Sequence, residues 1–317
     1  MENRKNINSH EKCLKVVTLV ENSLSLSSPF SGLHAEHGLS FYIESPGHRV
    51  LMDTGASQMF MGNARILGVK LEEVDTLFLS HGHYDHGGGI PYFAGINSHA
   101  SIYMSRYAGT CCYSLRGGEH YIGLPPEALS LPQVIKCDGS VTVIDDELTV
   151  LSDIEDIYPV PSTNGNLKIR TSAGLVPDNF AHEQCLVISL SSYEAVNKGA
   201  EPNTPDKRNF IFSENGRTDK KILFSGCAHH GILNILHAYR KIYGDYPYAS
   251  VSGFHFMKKT AYTETEIREI TETARKLTQI PTVFYTCHCT GDAACEIMRD
   301  IMHEQLNCVH CGDVFYI

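Results

Sequence analysis

The run TLFLS, residues 76–80, passes directly into His81-Gly82-His83-Tyr84-Asp85-His86. A short apolar run that ends in polar residues is typical of a buried strand leading to an α/β active site. His81 and His83 are two positions apart, so in an extended chain their side chains point to one side and can bind one ion. Asp85 and His86 lie just beyond, where a turn can direct them at a second ion. Imidazole and carboxylate ligands suit Zn, Fe, Mn or Ni.

Strands and helices alternate along much of the remaining sequence. Two apolar runs, 41–43 and 49–52, flank a Ser-Pro-Gly-His turn and predict a hairpin. Three further predicted strands each precede a helix, at 222–224 and 230–243, at 249–252 and 263–277, and at 282–285 and 292–303. Thr263 and Glu266 have the spacing of a capping box at the start of the middle helix. This alternation predicts an α/β sandwich.

The segment from about 107 to 166 has no clear periodicity. It contains Gly117-Gly118 and Pro125-Pro126, which are typical of turns. We therefore expect an insertion or a lid here, within one domain that spans residues 1–317. The polar stretch 197–208, with two prolines, predicts an exposed loop.

Composition restricts the choice of partners. The 317 residues carry a formal net charge of -10, which argues against a general nucleic-acid or anionic-membrane binder. No apolar run approaches the roughly 18 residues of a membrane span, and residues 1–15 lack the apolar stretch of a signal peptide. We expect a cytoplasmic protein with a small-molecule substrate and no nucleic-acid or membrane partner, and leave the oligomeric state open.

Histidine and cysteine are unusually frequent, with 17 and 11 residues. An odd number of cysteines without a secretory signal favours reduced thiols or metal ligands over a disulfide framework. Cys308-Val309-His310-Cys311 has the C-x-x-C spacing of a metal knuckle, and Cys287 and Cys289 could join it in an additional Zn or Fe–S site. The alternative is that these cysteines are small buried side chains.

Residues 81–86 resemble the HxHxDH signature of the metallo-β-lactamase superfamily. Leu51-Met52-Asp53-Thr54-Gly55 is similar to the first motif of that superfamily. The resemblance implies a four-layer αββα sandwich with two divalent ions at one edge, Zn first and Fe or Mn as alternatives. It implies that His81 and His83 hold one ion, that Asp85 and His86 hold the second, and that Asp53 orients a ligand.

The third motif fits the family pattern, whereas the fourth departs from it. By the resemblance, His182 would complete the first set of ligands, with a structural histidine as the alternative. Cys227 stands where the family has a bridging Asp, so it either binds as a thiolate, which favours Zn or Fe, or does not bind. His229 has three functional interpretations, as a ligand, a general acid or a phosphate contact. Capping of the following helix is the structural alternative.

Two histidines compete for the fifth motif. His288 is favoured as a ligand because its strand–His–Thr–Gly–helix context is similar to that of the family. His255 would then contact the substrate or support a ligand from behind. The candidate catalytic residues are therefore Asp85, His229 and His255.

The stretches SGCAHHGILNI, SGFH and CHCTG are similar to a branch commonly named 7,8-dihydropterin-6-methyl-4-(β-D-ribofuranosyl)aminobenzene 5′-phosphate synthase. This similarity implies a metal-dependent hydrolase, or a transferase that joins a reduced pterin to an aryl amine with loss of diphosphate. The ions would activate water or stabilise the departing diphosphate. Two alternatives on the same fold are an iron-containing redox or electron-transfer protein and a non-catalytic ligand sensor, the latter suggested by Cys227 in place of Asp.

Overall fold

The computed structural model describes residues 13–109, 111–193 and 217–317. The loop expected at 197–208 lies outside these residues. The strands are β1 (Lys15–Val20), β2 (Ser40–Glu44), β3 (Arg49–Met52), β4 (Thr76–Phe78), β5 (Ser101–Ser105), β6 (Cys112–Ser114), β7 (His120–Tyr121), β8 (Val134–Cys137), β9 (Val141–Val143), β10 (Leu148–Leu151), β11 (Leu167–Thr171), β12 (Gly174–Pro177), β13 (Cys185–Tyr193), β14 (Arg217–Phe224), β15 (Ala249–Val251), β16 (Val283–Thr286), β17 (Leu306–Cys308) and β18 (Val314–Tyr316). The helices are α1 (Met59–Ile66), α2 (Tyr84–Gly87), α3 (Ile90–Ile96), α4 (Pro126–Leu129), α5 (Ile232–Tyr243), α6 (Glu264–Leu277) and α7 (Asp292–Met302).

Two seven-stranded sheets form the centre of the fold. Their strand orders are β18-β1-β2-β3-β4-β5-β8 and β17-β16-β15-β14-β13-β10-β9. Each sheet has a parallel part, β3-β4-β5-β8 in the first and β14-β15-β16-β17 in the second. The predicted hairpin is confirmed, with β2 and β3 antiparallel and Phe41 opposite Met52.

Alternate strand residues pack on opposite faces of each sheet and so define the layers. Met52 and Phe224 belong to one apolar cluster, which fills the space between the two sheets. Leu51 packs with α1 and α3 in a second cluster, and Leu223 packs with α5, α6 and α7 in a third. The order is helices, sheet, sheet, helices, because neighbouring strand residues point to opposite faces. This confirms the expected four-layer αββα sandwich.

The strands of segment 107–166 belong to three different sheets. Strand β8 extends the first sheet, and β9 and β10 extend the second. Strands β6 and β7 instead join β11 and β12 in a small four-stranded sheet, which we call the wall sheet. It contacts the 81–86 motif through a β-bridge between His83 and Gly123. The Tyr84 N–H also donates to the Ile122 carbonyl. That this region acts as a lid stays a prediction.

Local signals at the C-terminal end are partly confirmed. Helix α6 begins with the predicted capping box, in which the Thr263 hydroxyl accepts from the Glu266 N–H and the Glu266 carboxylate accepts from the Thr263 N–H. Cys295 on α7 forms a disulfide with Cys308 on β17, so the expectation of reduced thiols is wrong for this pair. Among the residues described, no helix has both the length and the apolar character to cross a bilayer.

Candidate metal centre

The candidate residues meet at one edge of the sandwich, where strands of both sheets end. Asp53 follows β3, the 81–86 motif follows β4, and Cys227, His255 and His288 lie just after β14, β15 and β16. The ring of His81 is the central one, with its centroid 4.6 Å from that of His83, 4.1 Å from that of His86 and 4.8 Å from that of His229. Carboxyl ends of parallel strands are the usual place for a ligand site in such a fold.

His81 and His229 direct unprotonated nitrogens at each other. Ser80 donates its hydroxyl proton to Asp53 (2.7 Å), so its oxygen accepts from Nδ1 of His81 (2.9 Å). The Asn164 amide group donates to the His229 carbonyl (2.7 Å), so its oxygen accepts from Nδ1 of His229 (3.0 Å). Both Nε2 atoms therefore carry lone pairs, yet they lie 3.3 Å apart. Such an arrangement fits two ligands of one cation.

His86 is oriented from behind by Asp53, as the resemblance implied. Nδ1 of His86 donates to Oδ2 of Asp53 at 2.6 Å, and both side chains are fully buried. Nε2 of His86 is thereby free to bind and lies 3.2 Å from Sγ of Cys227. Sγ of Cys227 also lies in one group with nitrogens of His81 and His86. Cys227 therefore lies between the two sets of ligands.

The ring of His288 is likewise oriented by a neighbouring side chain, and it faces Asp85. The Asn22 amide donates to the His288 carbonyl (3.0 Å), and its oxygen accepts from Nδ1 of His288 (2.9 Å). Nε2 of His288 then lies 3.3 Å from Oδ2 of Asp85. Burial alone would raise the pKa of Asp85, but His86 and His288 hold it well below its usual range. Asp85 thus presents an anionic oxygen beside imidazole nitrogens.

Burial keeps the imidazoles of His81, His83 and His229 neutral. It lowers the pKa of His83 to about 3, and together with the neighbouring rings it lowers the pKa values of His81 and His229 well below 6.5. Nε2 of His83 and Nε2 of His288 are buried and make no hydrogen bond among the described residues. Two buried nitrogens without a protein hydrogen bond, next to a carboxylate and a thiol, fit a divalent first-row ion.

His182 lies next to this set, with both ring nitrogens already engaged. Its Nδ1 accepts from the Gly82 N–H at 3.1 Å, which leaves the proton on Nε2 for Oδ2 of Asp178, also at 3.1 Å. His182 also belongs to a group with His83, Cys112 and Asp178 whose atoms lie within 4.8 Å of one another. A histidine that accepts through one nitrogen keeps its proton on the other and cannot bind an ion there. This geometry favours His229 over His182 as the third imidazole of the first set.

His255 lies at the border of the site. Thr163 donates to the His255 carbonyl, and its oxygen accepts from Nδ1 of His255 at 2.8 Å. The His255 ring centroid is 4.2 Å from that of His229, but His255 belongs to none of the described groups that could hold an ion. His255 is therefore a partly buried neighbour of His229 at the border of the site.

Comparisons with known proteins agree with this geometry. Residues 35–167 match a family model described as the metallo-β-lactamase superfamily. Residues 35–167 therefore carry a metallo-β-lactamase domain. The match includes Asp53 and the 81–86 motif, whereas His229 and His288 lie beyond it.

Two similar proteins extend the likeness of the metallo-β-lactamase domain over nearly the whole chain. The chain is 27% identical to the 7,8-dihydropterin-6-methyl-4-(β-D-ribofuranosyl)-aminobenzene-5′-phosphate synthase of Methanocaldococcus jannaschii, over 95% of this chain and 96% of the relative. The crystal structure of Tm1679, described as a metal-dependent hydrolase of the β-lactamase superfamily, matches with a TM-score of 0.71. Its sequence identity is 25%, and the match covers 96% of this chain and 99% of that one.

Several residues that support the site carry no signal in the sequence. Glu183 accepts from the N–H groups of His229 (2.7 Å) and His230 (2.9 Å) with its two carboxylate oxygens. Its one hint is its position between His182 and a buried strand, where an acidic residue is unusual. Asn22 and His37 lie in a loop whose sequence has no strand or helix pattern, so nothing marks them as neighbours of Asp85.

The described C-terminal cysteines do not gather into a further centre. Cys308 pairs with Cys295 rather than with the knuckle, and the thiol of Cys311 lies 3.3 Å from the Leu19 carbonyl. Cys289 donates to the Cys227 carbonyl. Among the described residues, no group able to hold an ion contains a cysteine from the 287–311 region.

Proposed function

We propose that this protein is a metal-dependent enzyme whose two-ion centre acts on a small phosphorylated or heterocyclic substrate. The observation that supports it most is the buried pair of Nε2 lone pairs of His81 and His229, 3.3 Å apart. A second such contact joins His288 and Asp85. Without a shared cation or an added proton, each contact would place like partial charges against one another in a dry environment.

The ligand sets we propose follow the geometry of the side chains. His81, His83 and His229 hold the first ion, and Asp85, His86 and His288 hold the second. Cys227 lies between the sets and takes the place of the bridging Asp of the family. Its thiolate, a softer ligand than a carboxylate, favours Zn, with Fe as the alternative. Asp53 fixes the ring of His86 from behind.

The protein side chains around the ions handle binding and proton transfer. When bound, the ions supply Lewis acidity, which polarises a carbonyl or phosphoryl oxygen or lowers the pKa of water. His255 presents Nε2 without a proton, because its Nδ1 donates to Thr163, so this nitrogen can take a proton from a nucleophile. Asp85 is held ionised and adds to the negative charge that attracts two cations.

Two reaction types fit this arrangement. The relative that is named a synthase favours transfer, and the structure that is described as a hydrolase favours hydrolysis. In the transfer reaction, the aryl amine nitrogen attacks a pterin methylene carbon, the bond from that carbon to the diphosphate oxygen breaks, and the amine proton leaves to a base. In hydrolysis, water is the nucleophile. We propose transfer first, because the relative that is named a synthase is similar over 95% of this chain.

The test combines metal analysis with a substrate panel. Protein expressed without added metal is assayed for bound Zn, Fe and Mn, and then for turnover of phosphoesters, lactones and a pterin methyl diphosphate with an aryl amine. We expect two ions per chain and activity that is lost on chelation and restored by Zn or Fe. Full activity in demetallated protein would refute the proposal. Isotope from labelled water appears in the product only if the reaction is hydrolysis.

A further inference from the structure

His37 lies beside Asp85, outside every motif that the family signature supplies. It belongs to the loop between β1 and β2, and half of its side chain (52%) is exposed. Its Nε2 lies 3.4 Å from Oδ2 of Asp85, and its ring centroid is 5.0 Å from that of His288. Ligand atoms of His37, Asp85 and His288 all lie within 4.8 Å of one another.

The proton positions on His37 and His288 are set by one amide. The orientation of Asn22 is fixed because its Nδ2 donates to the His288 carbonyl. Its Oδ1 therefore accepts from Nδ1 of His288 at 2.9 Å and from Nδ1 of His37 at 3.3 Å. In its neutral form, each ring thus turns the lone pair of Nε2 toward the same carboxylate oxygen. Nε2 of His288 is buried and makes no hydrogen bond of its own.

The backbone holds the loop against the 81–86 motif. The Leu39 N–H donates to the Asp85 carbonyl at 3.1 Å. At position 38, a Cβ atom would lie 2.6 Å from that same carbonyl oxygen, so Gly38 permits an approach that other residues would block. His37, the residue before Gly38, is therefore placed beside Asp85 by the main chain as well as by Asn22.

We propose that His37 is a further ligand of the second ion, added by the β1–β2 loop to Asp85, His86 and His288. This inference rests on the proposed function, because it requires that an ion binds there. Three imidazoles and a carboxylate form a set that suits Zn, Fe or Mn. Since His37 is the exposed member, it closes the solvent side of the second ion.

The test measures metal affinity rather than turnover. Wild-type protein and the variants His37→Ala, His37→Gln, His288→Ala and His34→Ala are titrated with Zn against a competing chelator, and with Co(II) by visible absorption. His34 is the matched control, because it lies in the same loop, is exposed, and makes its described contacts through its backbone. The Gln variant retains a donor for Asn22 without an imidazole nitrogen, and it decides the outcome if the Ala variant fails to fold.

We expect His37→Ala and His37→Gln to bind the first ion as wild type does and the second at least about tenfold more weakly. The Co(II) spectrum of the second equivalent should change in both, and His34→Ala should match wild type. If the His37 variants have the affinity and spectrum of the wild type while His288→Ala loses an ion, the role of His37 is refuted and the proposed function is not. Fewer than two ions in the wild type would instead overturn the proposed function.

Discussion

Four imidazoles of the candidate metal centre have a fixed proton position. In each of them, one nitrogen is hydrogen-bonded to a protein group and the other is directed into the centre. Ser80, Asp53, Asn164 and Asn22 fix these tautomers by accepting the Nδ1 proton of their respective histidine. The residues within the 81–86 motif could be predicted from sequence because they are close together in the chain. For His229 the sequence left a ligand, a general acid and a phosphate contact open, because its position opposite His81 depends on contacts across 148 residues.

A pair of alanine variants separates His229 from His182. We expect His229→Ala to lose one ion per chain, since it removes an inward-facing nitrogen. His182→Ala should keep both ions but lower the free energy of unfolding by about 1–3 kcal/mol, because it leaves the Gly82 N–H and the Asp178 carboxylate without their partner. Metal analysis and chemical denaturation of the two variants measure both effects. The reverse result would restore His182 as the ligand.

Absorption spectroscopy tests whether Cys227 binds a metal ion as a thiolate. With Co(II) in the centre, we expect a ligand-to-metal charge-transfer band in the near ultraviolet that is absent from Cys227→Ser. Cys289→Ser is the matched control, because Cys289 is a neighbouring buried cysteine that belongs to no described group able to hold an ion. A band that persists in Cys227→Ser and disappears in Cys289→Ser would show that the wrong cysteine has been assigned.

At the scale of elements, the site is made by the short turns that follow strands. Asp53, Ala228, His255 and His288 all have positive φ, between +48° and +57°. Residues other than glycine adopt this conformation at a cost of about 1–3 kcal/mol each, so the surrounding contacts must hold them. Strands and the capping box could be predicted from local patterns. The wall sheet could not, because β6 pairs with β11 across some fifty residues and its strands are short.

Glu183 is the contact that holds the turn after β14. In Glu183→Gln, an amide group replaces one of the two oxygens that accept from the His229 and His230 N–H groups. We expect the free energy of unfolding to fall by about 1–3 kcal/mol and the affinity for the first ion to fall about 10- to 100-fold. Chelator competition and denaturation measure these changes. Glu296→Gln, an exposed site on α7, is the control, and equal behaviour of the two variants would contradict the role of Glu183.

For the whole molecule, the two sheets are also joined at the end opposite the metal centre. His48, in the turn between β2 and β3, contacts Asp75 with Nδ1 and Asp145 with Nε2, both at 2.9 Å. Asp145 lies in the turn between β9 and β10 of the other sheet. Alternation of strands and helices predicted an α/β sandwich, and the resemblance to the metallo-β-lactamase superfamily implied its four layers. The alternation could not predict that β18 pairs with β1 or that β9 and β10 complete the second sheet, because such pairings depend on contacts distant in sequence.

This contact between the sheets should weaken as pH rises. Burial lowers the pKa of His48, but Asp75 and Asp145 more than offset it and raise the pKa above 6.5. The charged pair therefore stabilises the fold fully below about pH 6.5 and is lost as pH rises through the raised pKa. In metal-free protein, the difference in unfolding free energy between wild type and His48→Gln should be larger at pH 6 than at pH 9. A difference that is the same at both pH values would contradict this assignment.

The wall sheet is built separately from the turns that carry the proposed ion ligands. Its four strands contribute none of the ion ligands proposed here, yet the His83–Gly123 bridge and the Tyr84–Ile122 hydrogen bond seat it beside the centre. Hairpins that are mostly exposed tolerate changes of length and composition. Changes of length or composition in this small sheet can therefore occur without replacing any of the proposed ion ligands, which lie outside it.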